Sequence, residues 1–216
     1  MRNHTTPNPH TGTLAVEVEQ RSSRMRGGFG SVARVNMLLR TLILMLVSRR
    51  KSPLGPHDVG RLTMRVLPND LDLLGHVNNG VYFSLMDLGR MDAGIRTGAW
   101  QKVGKLGWYH VAANETLTFR RSLRLWQRYT LETRVIGYDE RAMYVEQRFV
   151  LGGEVFVQGI VRGRLVKRSG GTVTMAEYGE AFGIDTAAMP VPEWMSRWSA
   201  DVAMPPAKAS YVSDWQ

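Results

Sequence analysis

The alternation of apolar and polar residues predicts about five β-strands. In RLTMRVL, Leu62, Met64 and Val66 alternate with polar residues, which is the period of a strand with one buried face. Four later segments are also predicted to be strands: WYHVAANETLTFRRSLRL, extended in its middle, then YTLETRVIGY, AMYVEQRFVL and EVFVQGIVRGRLVKR. Gly152 and Gly153 separate the last two segments, which indicates a hairpin.

A helical period follows the first predicted strand. In NGVYFSLMDLGRMDAGIRTG, the residues Val81, Leu85 and Leu88 fall at positions i, i+4 and i+7, so they line one face of a helix. This segment is long enough for about five helical turns.

Residues typical of helix ends bound this segment. Asn78 or Asn79 is the expected N-cap, and Gly98 is the expected stop. One long helix followed by a run of strands predicts an α+β domain, with an antiparallel sheet of about five strands packed against the helix. Dimerisation would extend such a sheet.

Differences in composition along the chain divide it into four regions. Residues 1–34 are rich in Thr, Pro, Asn, Ser, Gly and Arg and are predicted to be a disordered basic arm. Residues 35–52 are predicted to form an amphipathic helix with apolar and basic residues. The sheet and long helix occupy residues 58–170, and residues 171–216 contain short helical pieces and a polar tail.

The apolar helix of the second region has two interpretations. Its apolar run, from Met37 to Val47, is shorter than the roughly 20 residues that span a bilayer. Arg34 and the basic run at residues 49–51 flank it, so residues 34–51 could lie on an anionic membrane surface. The alternative is a helix that packs on its own domain or on a dimer partner.

The positive charge of the chain is concentrated near its N-terminus. The net charge is +9, and residues 1–53 hold nine Lys and Arg against two Asp and Glu. The basic residues of FRRSLRLWQR lie on a predicted strand, where Arg120 and Arg124 share a face and Arg121 lies opposite. Specific nucleic-acid binding is therefore not expected.

The residue types present exclude several kinds of chemistry. The chain has no cysteine, which removes disulfides, thiolate nucleophiles and Cys-based zinc sites and favours a reducing compartment. No metal-ligand spacing and no Gly-rich phosphate loop is found. No metal site is therefore predicted.

The segment DLDLLGHVNNGVYF concentrates hydrogen-bonding side chains ahead of the long helix. A helix N-terminus offers unpaired N–H groups that can polarise a carbonyl and stabilise an oxyanion. Just upstream, Asp72 could act as a nucleophile or as a general base for water. His76 could hold a proton, and Gly75 permits a tight turn. Hydrolysis of an activated acyl group, such as a thioester, is the chemistry that these residues support best.

Each of these residues also has a structural interpretation. Asp72 could cap a turn, and His76 could bridge the loop and the sheet. The two asparagines are expected to act first as caps. Tyr82 is expected to pack in a subunit interface, and Asp70 is expected to be solvated.

The motif DLDLLGHVNNGVYFSLMDLGR resembles the signature of hotdog-fold thioesterases of the hydroxybenzoyl-CoA thioesterase type. The positions that carry the resemblance are Asp72, Gly75, Asn79, Tyr82, Asp87 and Arg90. Asp87 and Arg90 are also spaced as a simple i, i+3 ion pair. The form GHVNN is similar to plant acyl-carrier-protein thioesterases. GWYHVAANETLTFRRSLRLWQRY and PEWMSRW resemble the group of proteins like thioesterase superfamily member 6.

The resemblance implies a fold and an assembly. Residues 58–170 would form a hotdog fold, a curved antiparallel sheet of about five strands wrapped around one long helix. Two subunits would pair through their sheets, as a homodimer or a dimer of dimers, with active sites at the interface.

The resemblance also implies an activity, the hydrolysis of an acyl-CoA or acyl-carrier-protein thioester to a free acid and a thiol. Asp72 would be the nucleophile or general base, with His76 and Asn79 as further catalytic residues. The implied substrate-binding residues are Gly75, Asn78, Tyr82, Arg120 and Arg121. No cofactor is implied beyond the CoA of the substrate. The two arginines suit CoA phosphates, because a guanidinium binds phosphate well.

One alternative keeps the fold and removes the catalysis. The chain would then be an acyl- or acyl-CoA-binding hotdog protein attached peripherally to a membrane. In either case we expect a cytoplasmic protein, and residues 34–51 could place it at the inner face of the membrane. A hotdog hydratase is not favoured, because the Asp and His spacing of those enzymes, with a Pro between, is missing.

Overall fold

The structure is a computed structural model that describes residues 37–205 and 209–215. The predicted basic arm at residues 1–34 lies outside the described residues. The chain divides into two units, Met1–Ile43 and Leu44–Gln216. The second unit contains the sheet, the long helix and the C-terminal helices.

Five strands form one antiparallel sheet, as predicted. Their bounds are β1 Gly60–Arg65, β2 Trp108–Phe119, β3 Arg128–Tyr138, β4 Met143–Leu151 and β5 Glu154–Lys167. The spatial order is β1-β3-β4-β5-β2, so β1 and β2 are the edge strands. Gly152 and Gly153 form the predicted hairpin, and both have positive φ, 60° and 84°, a backbone conformation that favours glycine.

Five α-helices accompany the sheet in the described part of the chain, besides a short 3₁₀ helix at Pro68–Asp70. Helix α1 is described over residues 37–48, and the others are α2 Asn79–Arg96, α3 Ala99–Lys105, α4 Met175–Phe182 and α5 Glu193–Asp201. Helix α3 was not predicted. Gly98, with a φ of 73°, ends α2 and at the same time begins α3, whose Val103 is buried. No helix among the described residues has the length and apolar character needed to cross a membrane.

Helix α2 approaches the sheet closely at Gly89. A Cβ atom at this position would lie 2.6 Å from Leu131 Cδ2 and 2.8 Å from both Gln147 Nε2 and Thr133 Oγ1. These distances are shorter than real Cβ contacts, so only glycine fits between the helix and strands β3 and β4.

The side chain of Gln147 occupies the space beside this glycine. It is fully buried, and its Nε2 donates to the Met86 carbonyl and to Thr133 Oγ1, both at 2.9 Å. Its Oε1 accepts from Arg90 Nη1 at 2.9 Å. A buried amide must be paired in this way, since an unsatisfied one costs free energy.

Helix α5 covers the other face of the sheet. Its Met195 packs in a second buried cluster with Ala142, Tyr144 and Ile160, beside the partly buried Ile136, Val191 and Trp198. Alternation along β5 places Ile160 on the face opposite Gly159 and Val161. The C-terminal helices therefore complete a second hydrophobic layer.

We expect Gly89→Ala to lower the free energy of unfolding by about 2 kcal/mol, because the added methyl overpacks the helix–sheet contact. Gly94→Ala is the matched control on the same helix, since a Cβ there meets only Trp100 atoms at 3.8 Å or beyond. The control should gain about 0.5–1 kcal/mol from helix propensity. Urea unfolding followed by circular dichroism measures both, and equal stabilities would contradict the close approach at Gly89.

Candidate active site

The loop that joins β1 to α2 folds back on itself. Leu71 and Val77 pair as an antiparallel bridge, and the Asp72 N–H donates to the His76 carbonyl at 2.8 Å. Gly75 lies near the tip with a φ of 76°, in the left-handed region that favours glycine. The main chain therefore holds Asp72 and His76 opposite each other.

The carboxylate of Asp72 is fixed by backbone amides of its own loop. Its Oδ1 accepts from the Leu74 N–H at 2.8 Å and from the His76 N–H at 3.1 Å, which is the turn geometry that aspartate favours. Within the described part of the chain, the hydrogen bonds to this carboxylate all use Oδ1. The second oxygen, Oδ2, is therefore the one available to a substrate or a water molecule.

Helix α2 begins directly after the loop that carries Asp72. Asn78 is the N-cap, since its Oδ1 accepts from the Gly80 N–H at 2.9 Å, which resolves the choice between the two asparagines. Asn79 is the first helical residue, and no acceptor among the described residues bonds its backbone N–H. This amide and the partial positive charge of the helix N-terminus point toward the end of the loop.

Asp70 is buried, with 2% of its surface exposed, so the expectation of a solvated residue is wrong. Its Oδ2 accepts from the Leu67 N–H at 2.8 Å, and its carbonyl accepts from the Asn78 N–H at 2.8 Å. Asp70 thus ties the entry of the loop to its exit at the helix cap.

Tyr82 is buried within the protomer, with 1% of its surface exposed, so the expectation of packing in a subunit interface is wrong. Its ring meets Phe119 and Phe149 edge-on at centroid distances of 5.4 and 4.9 Å. Its hydroxyl oxygen accepts from the Leu123 N–H at 3.2 Å. Burial raises the pKa of the Tyr82 phenol, the bond from Leu123 opposes the rise, and the negative charge of Asp72 adds to it.

An open cleft lies beside the loop. Its volume is about 390 Å³, and its lining residues are His76, Arg121, Ser122, Arg124, Gln127 and Phe156. The cleft runs between the loop and the β2–β3 connection, which an antiparallel bridge joins at His76 and Arg124. The structure therefore brings His76 and Arg121 to one concave surface.

Arg120 and Arg121 lie after the end of β2, so their side chains do not alternate between the two faces of the sheet. Both contact the same carboxylate, that of Glu154, at 3.4 and 2.6 Å. The expectation that Arg121 lies on the opposite face is therefore wrong. Arg121 also lies over the Phe156 ring at 5.7 Å, and it is the one of the two that lines the cleft.

Sequence reasoning missed Glu115, which lies on β2 beside α2. Arg90 contacts its Oε1 at 2.9 Å and also contacts Asp87, the neighbour expected from helical spacing. Burial raises the pKa of Glu115, and the Arg90 charge opposes the rise. Glu115 also lines a second cavity, of about 290 Å³, with Phe83 and residues 112–114. Alternation along β2 could have placed Glu115 on the helix side of the sheet, but not against Arg90.

Within residues 37–205 and 209–215, no group of three His, Asp or Glu side chains is arranged to hold a metal ion.

Comparison with known families assigns the class of this protein. The model of the thioesterase-like superfamily matches residues 66–199. That match covers more than half of the chain, so the chain belongs to the thioesterase-like superfamily.

A relative in sequence is Protein THEM6 of Xenopus laevis, which is 42% identical over 99 residues. The match covers 46% of this chain and 48% of that protein. The chain therefore spans about half the length of the curated relatives it matches.

Two solved structures show the same fold. The probable thioesterase YbaW from Escherichia coli has a TM-score of 0.53 and 18% identity, covering 56% of this chain and 94% of that one. A DHNA-CoA thioesterase from Staphylococcus aureus has a TM-score of 0.52 and 12% identity, covering 68% and 97%. The five-stranded sheet and its long helix are the hotdog fold, as the sequence resemblance predicts.

We expect Asn78→Ala and Asn79→Ala to differ in stability. Removal of the Asn78 cap should cost about 1 kcal/mol. Asn79→Ala leaves every hydrogen bond of the helix start in place and should change stability by less than about 0.5 kcal/mol. Thermal unfolding distinguishes them, and a larger loss for Asn79→Ala would contradict the assignment of the cap.

Proposed function

We propose that this chain hydrolyses an acyl thioester, carried by CoA or by an acyl-carrier protein, to a free acid and a thiol. The observation that carries the proposal is the Asp72 carboxylate, held through Oδ1 by two backbone amides while Oδ2 is left open. Membership of the thioesterase-like superfamily supports the reaction class. A structural neighbour named as a DHNA-CoA thioesterase supports a CoA thioester as substrate.

The proposed reaction begins with the thioester carbonyl at the N-terminus of α2. The Asn79 N–H donates to the carbonyl oxygen and stabilises the oxyanion that forms when the carbonyl is attacked. Asp72 Oδ2 either removes a proton from the attacking water or attacks the carbonyl carbon itself. In the second route, water then opens the mixed anhydride. In both routes the C–S bond breaks and the sulfur leaves as a thiol after it takes up a proton.

The cleft residues would assist this chemistry from the other side. His76 lines the cleft, its backbone N–H binds Asp72 Oδ1 at 3.1 Å, and its ring would hold or relay the proton. Arg121 lines the same cleft and would bind a phosphate of CoA.

The decisive variant is Asp72→Asn. An asparagine keeps the Oδ1 acceptor for the Leu74 and His76 amides, so the loop should keep its conformation, but its amide is neither a base nor a nucleophile. We expect thiol release from a panel of short, long and aromatic acyl-CoAs to fall at least about 100-fold, the scale of a lost general base.

The matched control is Asp201→Asn, which removes an exposed carboxylate at the end of α5. It should release thiol at the wild-type rate, and both variants should unfold at the wild-type temperature. Equal thiol release by Asp72→Asn and the wild type would reject Asp72 as the catalyst.

We also propose that two copies pair through β2. This strand lies at an edge of the sheet, its outward-facing backbone groups are unpaired in the described structure, and Tyr109, Ala112 and Ala113 are exposed. An unprotected edge strand is a template for pairing with another chain. The β2 pairing with β5 skips Ala113, where the register shifts, so a side chain added there should leave that pairing intact.

Ala113→Lys should therefore weaken the dimer, because a charged side chain on an edge strand opposes pairing with another strand. Thr63→Lys is the control, at an exposed position of the other edge strand, and should leave the dimer unchanged. Sedimentation velocity measures both, and a dimer that resists Ala113→Lys but dissociates with Thr63→Lys would contradict pairing through β2.

A second candidate function is non-enzymatic binding of acyl chains or acyl-CoA at a membrane, on the cytoplasmic side. Helix α1 favours it, because six of its apolar side chains are exposed: Leu38, Leu39, Leu42, Ile43, Leu46 and Val47. Exposed Arg49 and Arg50 follow, as in helices that lie on anionic lipid. Acyl-CoA binding by calorimetry, without thiol release from any substrate, would favour this candidate over hydrolysis.

A further inference from the structure

Two turns at one end of the sheet expose large apolar side chains. In the β1–α2 loop, Leu73 is fully exposed and Leu74 is 79% exposed. In the β2–β3 connection, Leu125 is 38% exposed and Trp126 is 54% exposed. The bridge between the loop and this connection holds the two turns side by side. We call these four residues the paired tips.

Trp126 occupies a backbone conformation that disfavours it. Its φ of 64° is the one positive value among the described residues other than glycine, and a bulky side chain in this region is strained. The residue lies within a β-turn closed by the Gln127 N–H on the Arg124 carbonyl at 3.2 Å. Its backbone N–H donates to the Val66 carbonyl at 3.1 Å, whereas its side chain is exposed. The backbone of Trp126 thus serves the fold, and its side chain is available for a contact outside the protomer.

Positive charge surrounds the tips. Arg65 and Arg128 lie directly opposite each other in the β1–β3 register, and both are exposed. Like charges placed opposite each other in a sheet destabilise it. Arg65, Arg124 and Arg128 form no ion pair with an acid in the described part of the chain. We call these three arginines the basic cluster. An external anion would offset the repulsion between their charges.

We propose that the paired tips dock this end of the protein on an anionic lipid bilayer. The apolar tips would enter the interfacial region, where tryptophan is favoured, and the basic cluster would contact lipid phosphates. The four side chains are exposed, and a fluid surface accommodates exposed apolar side chains without the fitted pocket that a protein partner would need.

Such docking would turn the cleft beside Arg124 toward the lipid. A substrate with a long acyl chain could then enter the cleft from the bilayer. The proposal does not depend on thioester hydrolysis, and none of its residues belongs to helix α1.

The absence of cysteine in the sequence allows a site-specific test on the full chain. Leu74→Cys carries an environment-sensitive fluorophore, and the protein is titrated with vesicles of phosphatidylglycerol and phosphatidylcholine or of phosphatidylcholine alone. We expect a blue-shifted and severalfold brighter emission with the anionic vesicles. Ser169→Cys, exposed at the other end of the sheet, is the matched control and should show no change. A Leu74 label that stays aqueous while the protein floats with the vesicles would place the attachment elsewhere and overturn the proposal.

Two variants separate the apolar and the charged contributions. Trp126→Gly should raise the unfolding temperature by relieving strain and at the same time weaken partition into anionic vesicles several-fold. The double variant Arg65→Gln with Arg128→Gln should weaken partition into anionic vesicles about fivefold for each arginine removed. Unchanged partition in both variants would overturn the proposal.

A second copy of the chain is the competing occupant of the tips. If Leu73→Ser with Leu74→Ser converts an oligomer to a monomer in sedimentation and leaves vesicle binding unchanged, the tips form a subunit contact and the lipid proposal is wrong.

Discussion

The amide of Gln147 determines how α2 lies on the sheet. It is fully buried, and its two ends bond the helix and a neighbouring strand at 2.9 Å, through the Met86 carbonyl, Thr133 and Arg90. A buried amide with every bond satisfied permits one position along the helix, because any slip would leave a donor or acceptor unpaired. The absent side chain of Gly89 makes this position sterically possible.

The location of the candidate site depends on this contact. Once α2 is fixed on the sheet, its first turn is fixed too, and Tyr82 then bonds the Leu123 N–H at the start of the β2–β3 connection. Asn78 links the same turn to the Asp70 carbonyl. The loop that carries Asp72 is therefore held at both ends by hydrogen bonds that originate in the fold, and the cleft lies between two segments that cannot separate easily.

The period of the apolar residues predicted the strands and the long helix. An element that is buried on one face must repeat apolar residues at its own period, so the signal lies within the element itself. The same reasoning failed where a contact joins distant segments. Asp70 was expected in solvent, yet it is buried, and its carboxylate accepts the Leu67 N–H across the turn at residues 68–70. Arg121 was assigned a strand face, yet β2 ends at Phe119. Glu115 was missed because its partner Arg90 lies 25 positions earlier on another element, a distance that no local pattern records.

The site motif was predicted from residue types, but the sequence could not decide between a turn cap and a catalyst for Asp72. The capping role uses Oδ1, which accepts the two amides and gives the loop its shape. The proposed catalytic role would use the other oxygen, Oδ2. A carboxylate that is fixed in this way needs little reorganisation before reaction, which is what preorganised catalysis requires. A structural role for Asp72 therefore supports a chemical one.

The same hydrogen bonds explain why the loop exposes its leucines. The Leu74 and His76 amides bond Asp72 Oδ1, the side chains of Leu73 and Leu74 are exposed at the same turn, and Gly75 completes the turn with a positive φ. Polar residues would satisfy that outward position at no cost in solubility, so geometry alone does not account for two leucines there. The arrangement of the loop fixes where these side chains point. These two leucines and the exposed tryptophan of the adjoining turn are the side chains that the proposed lipid contact would use.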